Sequence, residues 1–151
     1  MALRGLLPEA AICVFNGLLP GDEPRFTEYG LTPVLNDPGQ IERWAAHCRA
    51  QGPLPAAIHF DTGMARLGLT PRDSDALLAE PGELAAFAAL QIITHMACAD
   101  DPAAEMNERQ RAAFARVAAA LPQATASLAN SSSIFLGPQY HFDLARPGVA
   151  L

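Results

Sequence analysis

Lysine is absent from the 151-residue chain: all ten basic residues are arginines. That absence excludes reactions in which a side-chain amine condenses with a carbonyl, because a guanidinium stays protonated at working pH. It also excludes a P-loop. Residues 63–70, "GMARLGLT", have the glycine spacing of that motif, but Leu69 stands where the phosphate-gripping lysine belongs. Cysteine is scarce. Cys13, Cys48 and Cys98 are an odd count with no C-x-x-C pair, which excludes a disulfide framework and points to a reducing cytoplasm. Charged residues are only 17% of the chain against 50% apolar, a balance that excludes disorder. Net positive charge is lacking too. At −6 the chain repels phosphate backbones, so nucleic acid is not an expected partner. Long apolar runs are also missing. Residues 10–19 are too few to span a bilayer, and Pro8 and Glu9 interrupt any signal-peptide core, so no membrane partner is expected.

What is present is a repeated arrangement. Six near-continuous apolar runs each stop at a polar residue: "AAICVFNG" at Asn16, "TPVLND" at Asn36, "AAIHFDTG" at Asp61, "LQIITHMA" at His95, "ASLANSSS" at Asn130, and "FDLARPG" at Arg146. Such runs read as strands buried on both faces. Helices fit between them. "DPGQIERWAAHCRAQG" has Asp37 as N-cap, Pro38 at the first helical position, a stop at Gly52, and one apolar face of Ile41, Trp44, Ala45 and Cys48. "NERQRAAFARVAAALP" repeats the pattern with Phe114, Val117, Ala118 and Leu121. Residues 74–90 read as helix in two pieces, broken at Pro81-Gly82. Alternating strands and helices predict a parallel sheet with its strand-end polar residues on one rim. The expected fold is α/β: one domain over residues 1–151, a partial (β/α)8 barrel of about six parallel strands. A full barrel needs eight strands and about 250 residues. A doubly wound open sheet is the alternative, but "NGLLPGDEP" after the first run is not its glycine fingerprint.

Arg66 and Arg146 stand out on that rim. Each follows an apolar run, and each needs an anion or an acceptor. Asp61 is a candidate partner for Arg66. Ser131, Ser132 and Ser133, with Gly148, offer donors where a phosphate could sit. The 16 residues between Asn130 and Arg146 leave room for the short extra helix of a barrel phosphate site. Other residues have bland readings. His95 and Cys98, with Asp100 and Asp101 nearby, fall short of a zinc site, and no metal is expected. Cys48 faces the core beside His47. His59, between Ile58 and Phe60, reads as a satisfied interior histidine, and His141 as a solvated one.

Taken together, these segments resemble the alanine racemase family. "DTGMARLG" resembles its D-T-G-M-x-R-L-G motif and "THMACAD" its S/T-H-x-A-x-A-D motif. "ANSSS" followed by "FDLARPGVAL" resembles "ANS…F…RPG-I/V-A-L-Y-G", and "FNGLLPG" and "PVLN" match as well. The resemblance spans residues 16–151 in family order. It implies a pyridoxal 5'-phosphate enzyme that interconverts L- and D-alanine for the cell wall, with an N-terminal barrel, a C-terminal β domain and a head-to-tail dimer. By motif, Arg66 would contact the cofactor's phenolic oxygen and the substrate carboxylate. His95 would hold Arg146, which would face the pyridine nitrogen. Ser131, Gly148 and Val149 would cradle the phosphate, with His59, Asp61 and Asn130 in support. His59 stands where some relatives carry a modified lysine.

The departures from the family set the expectation. The family's cofactor lysine lies upstream of these segments and its tyrosine base in the β domain beyond them, whereas racemisation needs a base on each face of the α-carbon. The chain is therefore expected to be the middle of such a barrel, lacking the first strands and the β domain. It is expected to be inactive alone and to bind the cofactor weakly at most. The alternative is a non-catalytic remnant or split subunit that completes its barrel with another chain, its bare strand edges favouring self-association. A small metal hydrolase built on His95 and Cys98 is a third reading with little in its favour.

With no lysine, borohydride treatment in the presence of pyridoxal 5'-phosphate should leave no stable adduct except at the N-terminal amine. Peptide mass spectrometry locates any adduct, and one on an internal residue would contradict the reading.

Overall fold

The computed structural model describes residues 2–149. Five strands, β1 (Ile12–Val14), β2 (Leu31–Leu35), β3 (Leu54–His59), β4 (Phe87–Ile93) and β5 (Thr125–Ser127), form one parallel sheet. Their order is β1-β2-β3-β4-β5, each strand beside the next in sequence. A doubly wound sheet reverses its order at a switch point. This one never does, so the sheet is an arc of a barrel.

The helices are α1 (Ala2–Leu6), α2 (Glu23–Glu28), α3 (Pro38–Gln51), α4 (Pro71–Ala79) and α5 (Glu105–Ala120). α3 forms where the sequence predicts it. Asp37 Oδ1 accepts from the Gln40 amide at 2.9 Å, and the buried face is Ile41, Trp44, Ala45 and Cys48. Trp44 Nε1 donates to the Pro55 carbonyl at 3.1 Å, and the Phe26 ring meets the indole edge-on. α5 buries Phe114 and Val117, and with them the polar Asn107 and Gln110.

The sheet sorts its side chains by period two. Leu35, Ile58, Ile92 and Ala126 are register partners and share the large core with Trp44 and Phe114 of the helices. Val34, Ala57 and Ile93 form a second, smaller cluster on the other face. His59, two residues after Ala57, lies on that inner face.

Two expectations need correction. Residues 74–90 are not helical throughout. α4 ends before Pro81, a short 3-10 helix covers Pro81–Ala86, and β4 begins at Phe87. Pairing of Phe87 with Leu54 and of Leu90 with Ala56 overrides the helical preference of this alanine-rich stretch. The sixth run forms no strand. Phe142 makes one antiparallel bridge to Ser127 with its backbone at φ 52°. Asp143 then turns its carboxylate onto the Ala126 amide at 2.8 Å, occupying a β5 donor that a sixth strand would need. Ala150 and Leu151, the end of the "RPGVAL" motif, lie outside the described residues.

Phe114 is fully buried, so Phe114→Ala should cost about 3–5 kcal/mol. Asp37→Ala removes an N-cap and should cost about 1 kcal/mol. Urea unfolding followed by the fluorescence of Trp44, the single tryptophan, measures both. A Phe114→Ala loss below that of Asp37→Ala would show that the sheet–helix layer is not the main core.

Candidate functional site

The carboxyl end of β3 runs into a loop closed at its base. The Leu69 amide donates back to the His59 carbonyl at 2.7 Å, and the Asp61 amide to the Leu69 carbonyl at 3.0 Å. Gly68 sits at φ 107°, where a Cβ would lie 2.9 Å from the Asp61 nitrogen. Only glycine fits that closure. Inside the loop, Asp61 Oδ1 accepts from the amides of Gly63, Met64 and Ala65 at 2.9, 2.9 and 3.0 Å. Asp61 therefore shapes the loop and does not pair with Arg66. Among the described residues Arg66 forms no ion pair, and it stands exposed at the loop's apex.

Arg146 is held by backbone carbonyls. Its guanidinium donates to Ser127 O at 2.8 Å, Thr94 O at 2.5 Å and Leu128 O at 3.5 Å, and also to the Ser127 hydroxyl. These acceptors lie at the carboxyl ends of β4 and β5; the Ser127 carbonyl also accepts from the Thr94 amide at 3.1 Å, so it serves the sheet and the guanidinium together. Burial pushes the guanidinium down to about 10, which leaves it charged at neutral pH. The resemblance implied a contact from His95 to Arg146, and no hydrogen bond joins the two among the described residues. Asn130 Nδ2 stands 3.5 Å from His95 Nε2 and donates to Met96 O at 3.3 Å, while Asn130 Oδ1 accepts from Ser133. With an amide donor facing it, His95 Nε2 is the accepting nitrogen of a neutral ring. Burial and the charges of Arg146 and Arg66 hold its pKa below the usual histidine value.

His59 is fixed more tightly. The Asn36 amide donates to Phe15 O at 3.0 Å and Val34 O at 2.9 Å, so its oxygen must accept. That oxygen lies 3.0 Å from His59 Nδ1, which therefore carries the proton and leaves the lone pair on Nε2. Burial, then Arg146 and His95, lower the His59 pKa to about 4 against an opposing pull from Asp61.

His59, Arg66, His95 and Arg146 line one cavity of about 510 Å³, together with Phe15, Asn16 and Leu67. Ser131 and Val149 line a different cavity of about 440 Å³, bordered by Ala99, Asp100 and Phe135. Gly148 joins that group, its amide donating to Ser131 Oγ at 2.9 Å. Asn130 contacts His95 and directly precedes Ser131. Among the described residues no three His, Cys, Asp or Glu side chains gather as a metal site. His141 is not simply solvated: its Nε2 meets the Ile134 carbonyl at 2.9 Å. Sequence reasoning did not assign Phe15, Leu67 or Asn36 to the site. Asn36 carried a signal, being polar at the end of a buried strand.

A cavity lined by two arginines and two histidines, at the carboxyl ends of sequential parallel strands, defines a barrel protein with a positively charged mouth. The family profile described as "Alanine racemase, N-terminal domain" matches residues 1–151, and the chain belongs to that family. The chain is 55% identical over 148 residues to an alanine racemase of Rhodospirillum rubrum, covering 97% of this chain and 40% of that protein. A catabolic alanine racemase of Mesorhizobium japonicum is 50% identical over 141 residues, covering 93% and 37%. The crystal structure of alanine racemase from Bartonella henselae, with covalently bound pyridoxal phosphate, superposes with a TM-score of 0.93 at 38% identity, covering 98% and 44%. The chain thus spans about 40% of the length of its curated relatives.

His59 ionises near 4 when folded and near 6.5 when unfolded, so the unfolded chain binds the extra proton between those values. Stability should be full above about pH 6.5 and fall as the pH drops towards 4, by on the order of 3 kcal/mol. His95 adds in the same direction. Urea midpoints at pH 7.5 and 5 measure the slope, and His59→Gln should flatten most of it. A variant as acid-sensitive as the parent would exclude His59 as the source.

Proposed function

We propose that this chain supplies the cofactor- and carboxylate-facing part of a pyridoxal 5'-phosphate-dependent alanine racemase barrel. The observation that carries the reading is the convergence of Arg66, Arg146, His59 and His95 on one cavity in which neither arginine has a carboxylate partner among the described residues.

The residues fit the cofactor. Ser131 Oγ and the Gly148 amide stand together, and a Cβ at Gly148 would meet no atom within 4 Å, so a phosphate can approach the backbone there. Ser131, Gly148 and Val149 would hold that phosphate. Arg146 is a donor-only group beside which a pyridine nitrogen accepts a hydrogen bond without gaining a proton. When bound, the cofactor supplies the electron sink that acidifies the substrate's α-hydrogen. Arg66, at the apex of its loop, binds and orients the alanine carboxylate. His59 and His95 stay neutral at working pH and serve as acceptors that leave the site's positive charge on the arginines. These 151 residues offer no side-chain amine, so the cofactor-bearing lysine and the second base come from outside them. The racemase acts in the cytoplasm and supplies D-alanine for the cell wall. The absence of lysine also favours a second reading, a split subunit or remnant that completes its barrel with another chain across the β1 edge, where Cys13 is exposed. Among the described residues no helix is long and apolar enough to cross a membrane.

The purified 151-residue chain with added cofactor should form no D-alanine from L-alanine. A hybrid, with residues 2–149 in place of the matching segment of the Rhodospirillum rubrum racemase, should restore turnover. In it, Arg66→Leu should lower kcat/KM by on the order of 10²-fold or more. A folded hybrid without turnover, or an Arg66→Leu hybrid equal to its parent, would overturn the assignment.

A further inference from the structure

Gln110 is fully buried on α5, a polar side chain on the face that carries Phe114 and Val117 into the core. Leaving its amide unpaired there would cost about 1–3 kcal/mol. Every polar atom of that amide is used. Nε2 donates to the Thr62 hydroxyl at 3.2 Å and to the His95 carbonyl at 2.9 Å, and Oε1 accepts from the Ala97 amide at 2.9 Å. Thr62 belongs to the loop that carries Arg66, while His95 and Ala97 follow β4. One side chain thus joins two rim segments 48 and 15 residues away from it in sequence.

The link continues across the rim. The Thr62 hydroxyl, which accepts from Gln110, also shares a hydrogen bond with the Thr94 hydroxyl 2.7 Å away, with either oxygen able to donate. The Thr94 carbonyl in turn receives Arg146 at 2.5 Å. Packing supports the same contact. Gly63 sits at φ 136°, and a Cβ there would lie 3.2 Å from Met106 Sδ and 3.6 Å from Gln110 Cγ, so α5 presses directly on the loop.

We propose that Gln110 is a positioning residue, fixing the Arg66 loop against the His95 strand end so that Arg66, His95 and Arg146 face one ligand. The inference rests on the functional reading above. Gln110 itself touches no ligand. Its amide holds the spacing between groups that do.

Two variants test it. Gln110→Leu keeps the bulk and removes all three bonds. Thr62→Val keeps the loop's shape and removes only the loop-side bond. In the isotope-labelled 151-residue chain, nuclear magnetic resonance titration follows the His95 ring. Gln110→Leu should raise its pKa towards 6.5 as the strand end loosens and water enters. In the hybrid racemase, Gln110→Leu should lower kcat/KM by on the order of 10–100-fold, mainly through a higher KM for alanine. Thr62→Val should raise KM by a smaller factor. Gln110→Glu, with a neutral buried carboxyl that keeps the acceptor and one donor, should recover part of the loss. A merely structural role would lower Tm but leave KM and the His95 titration unchanged. Gln110→Leu with an unmoved His95 pKa, or with kcat/KM within twofold of the parent hybrid, overturns the proposal. If Gln110→Leu does not fold, an unchanged KM in Thr62→Val overturns it. An inactive but folded parent hybrid would count against the functional reading alone, because the His95 titration still decides the role of Gln110.

Discussion

The site depends on how a half-buried guanidinium is held by uncharged groups. Arg146 lies across three carbonyls at the ends of β4 and β5, those of Thr94, Ser127 and Leu128, of which Ser127 also accepts from the Thr94 amide. The carbonyls satisfy its N–H groups but do not cancel its charge. A carboxylate in their place would neutralise the cavity. The other nearby acid, Asp61, is drawn away by the three amides of its own loop. The result is a mouth with two cations, held in place by groups that carry no charge.

Two histidines share that mouth, and burial, reinforced by the same charges, keeps them neutral. Each ring is given its role by a neighbouring asparagine. Asn36 must accept from His59 because both its N–H bonds are committed to carbonyls. Asn130 presents its nitrogen to His95 because its oxygen is committed to Ser133. The two rings thus sit in different hydrogen-bonding roles at the nitrogen facing the asparagine, a distinction set by backbone geometry two or more bonds away.

Much of this was legible in the sequence. The apolar runs marked all five strands, and the Asp37-Pro38 start and Gly52 stop marked α3. The strand-end positions of Arg66, His95 and Arg146 placed them on one rim before any contact was known, whereas His59 read as an interior strand residue and joins them only through the cavity. What failed did so for physical reasons. "ELAAFAAL" has no clear period, so partner strand β3 alone decides that Phe87 begins a strand. The sixth run has a strand's composition, but Phe142 turns to positive φ and Asp143 takes the Ala126 amide. An acid five residues before an arginine invites a salt bridge, and only the folded loop shows Asp61 turned to the amides. Gln110 left a trace that was not followed, a polar residue four positions before Phe114 on an apolar face. The cradle of Ser131, Gly148 and Val149 and the arginine-lined cavity were expected as one site, yet they line two cavities with Asn130 between.

The positive mouth has the opposite sign to the body that carries it, since the whole chain bears −6. An approaching anion therefore meets two fields: a diffuse repulsion from the surface and a short-ranged attraction near Arg66 and Arg146. Salt weakens the first more than the second, because screening over about 10 Å at 0.1 M acts on distant charges and little at the contact distance of Arg66 and Arg146. The capture rate of an anionic ligand should then hold steady or rise as ionic strength increases, the reverse of the usual behaviour of a cationic binding protein. A cation fixed by carbonyls inside an acidic shell thus makes the site selective for ligands that reach it by close contact over those drawn from afar.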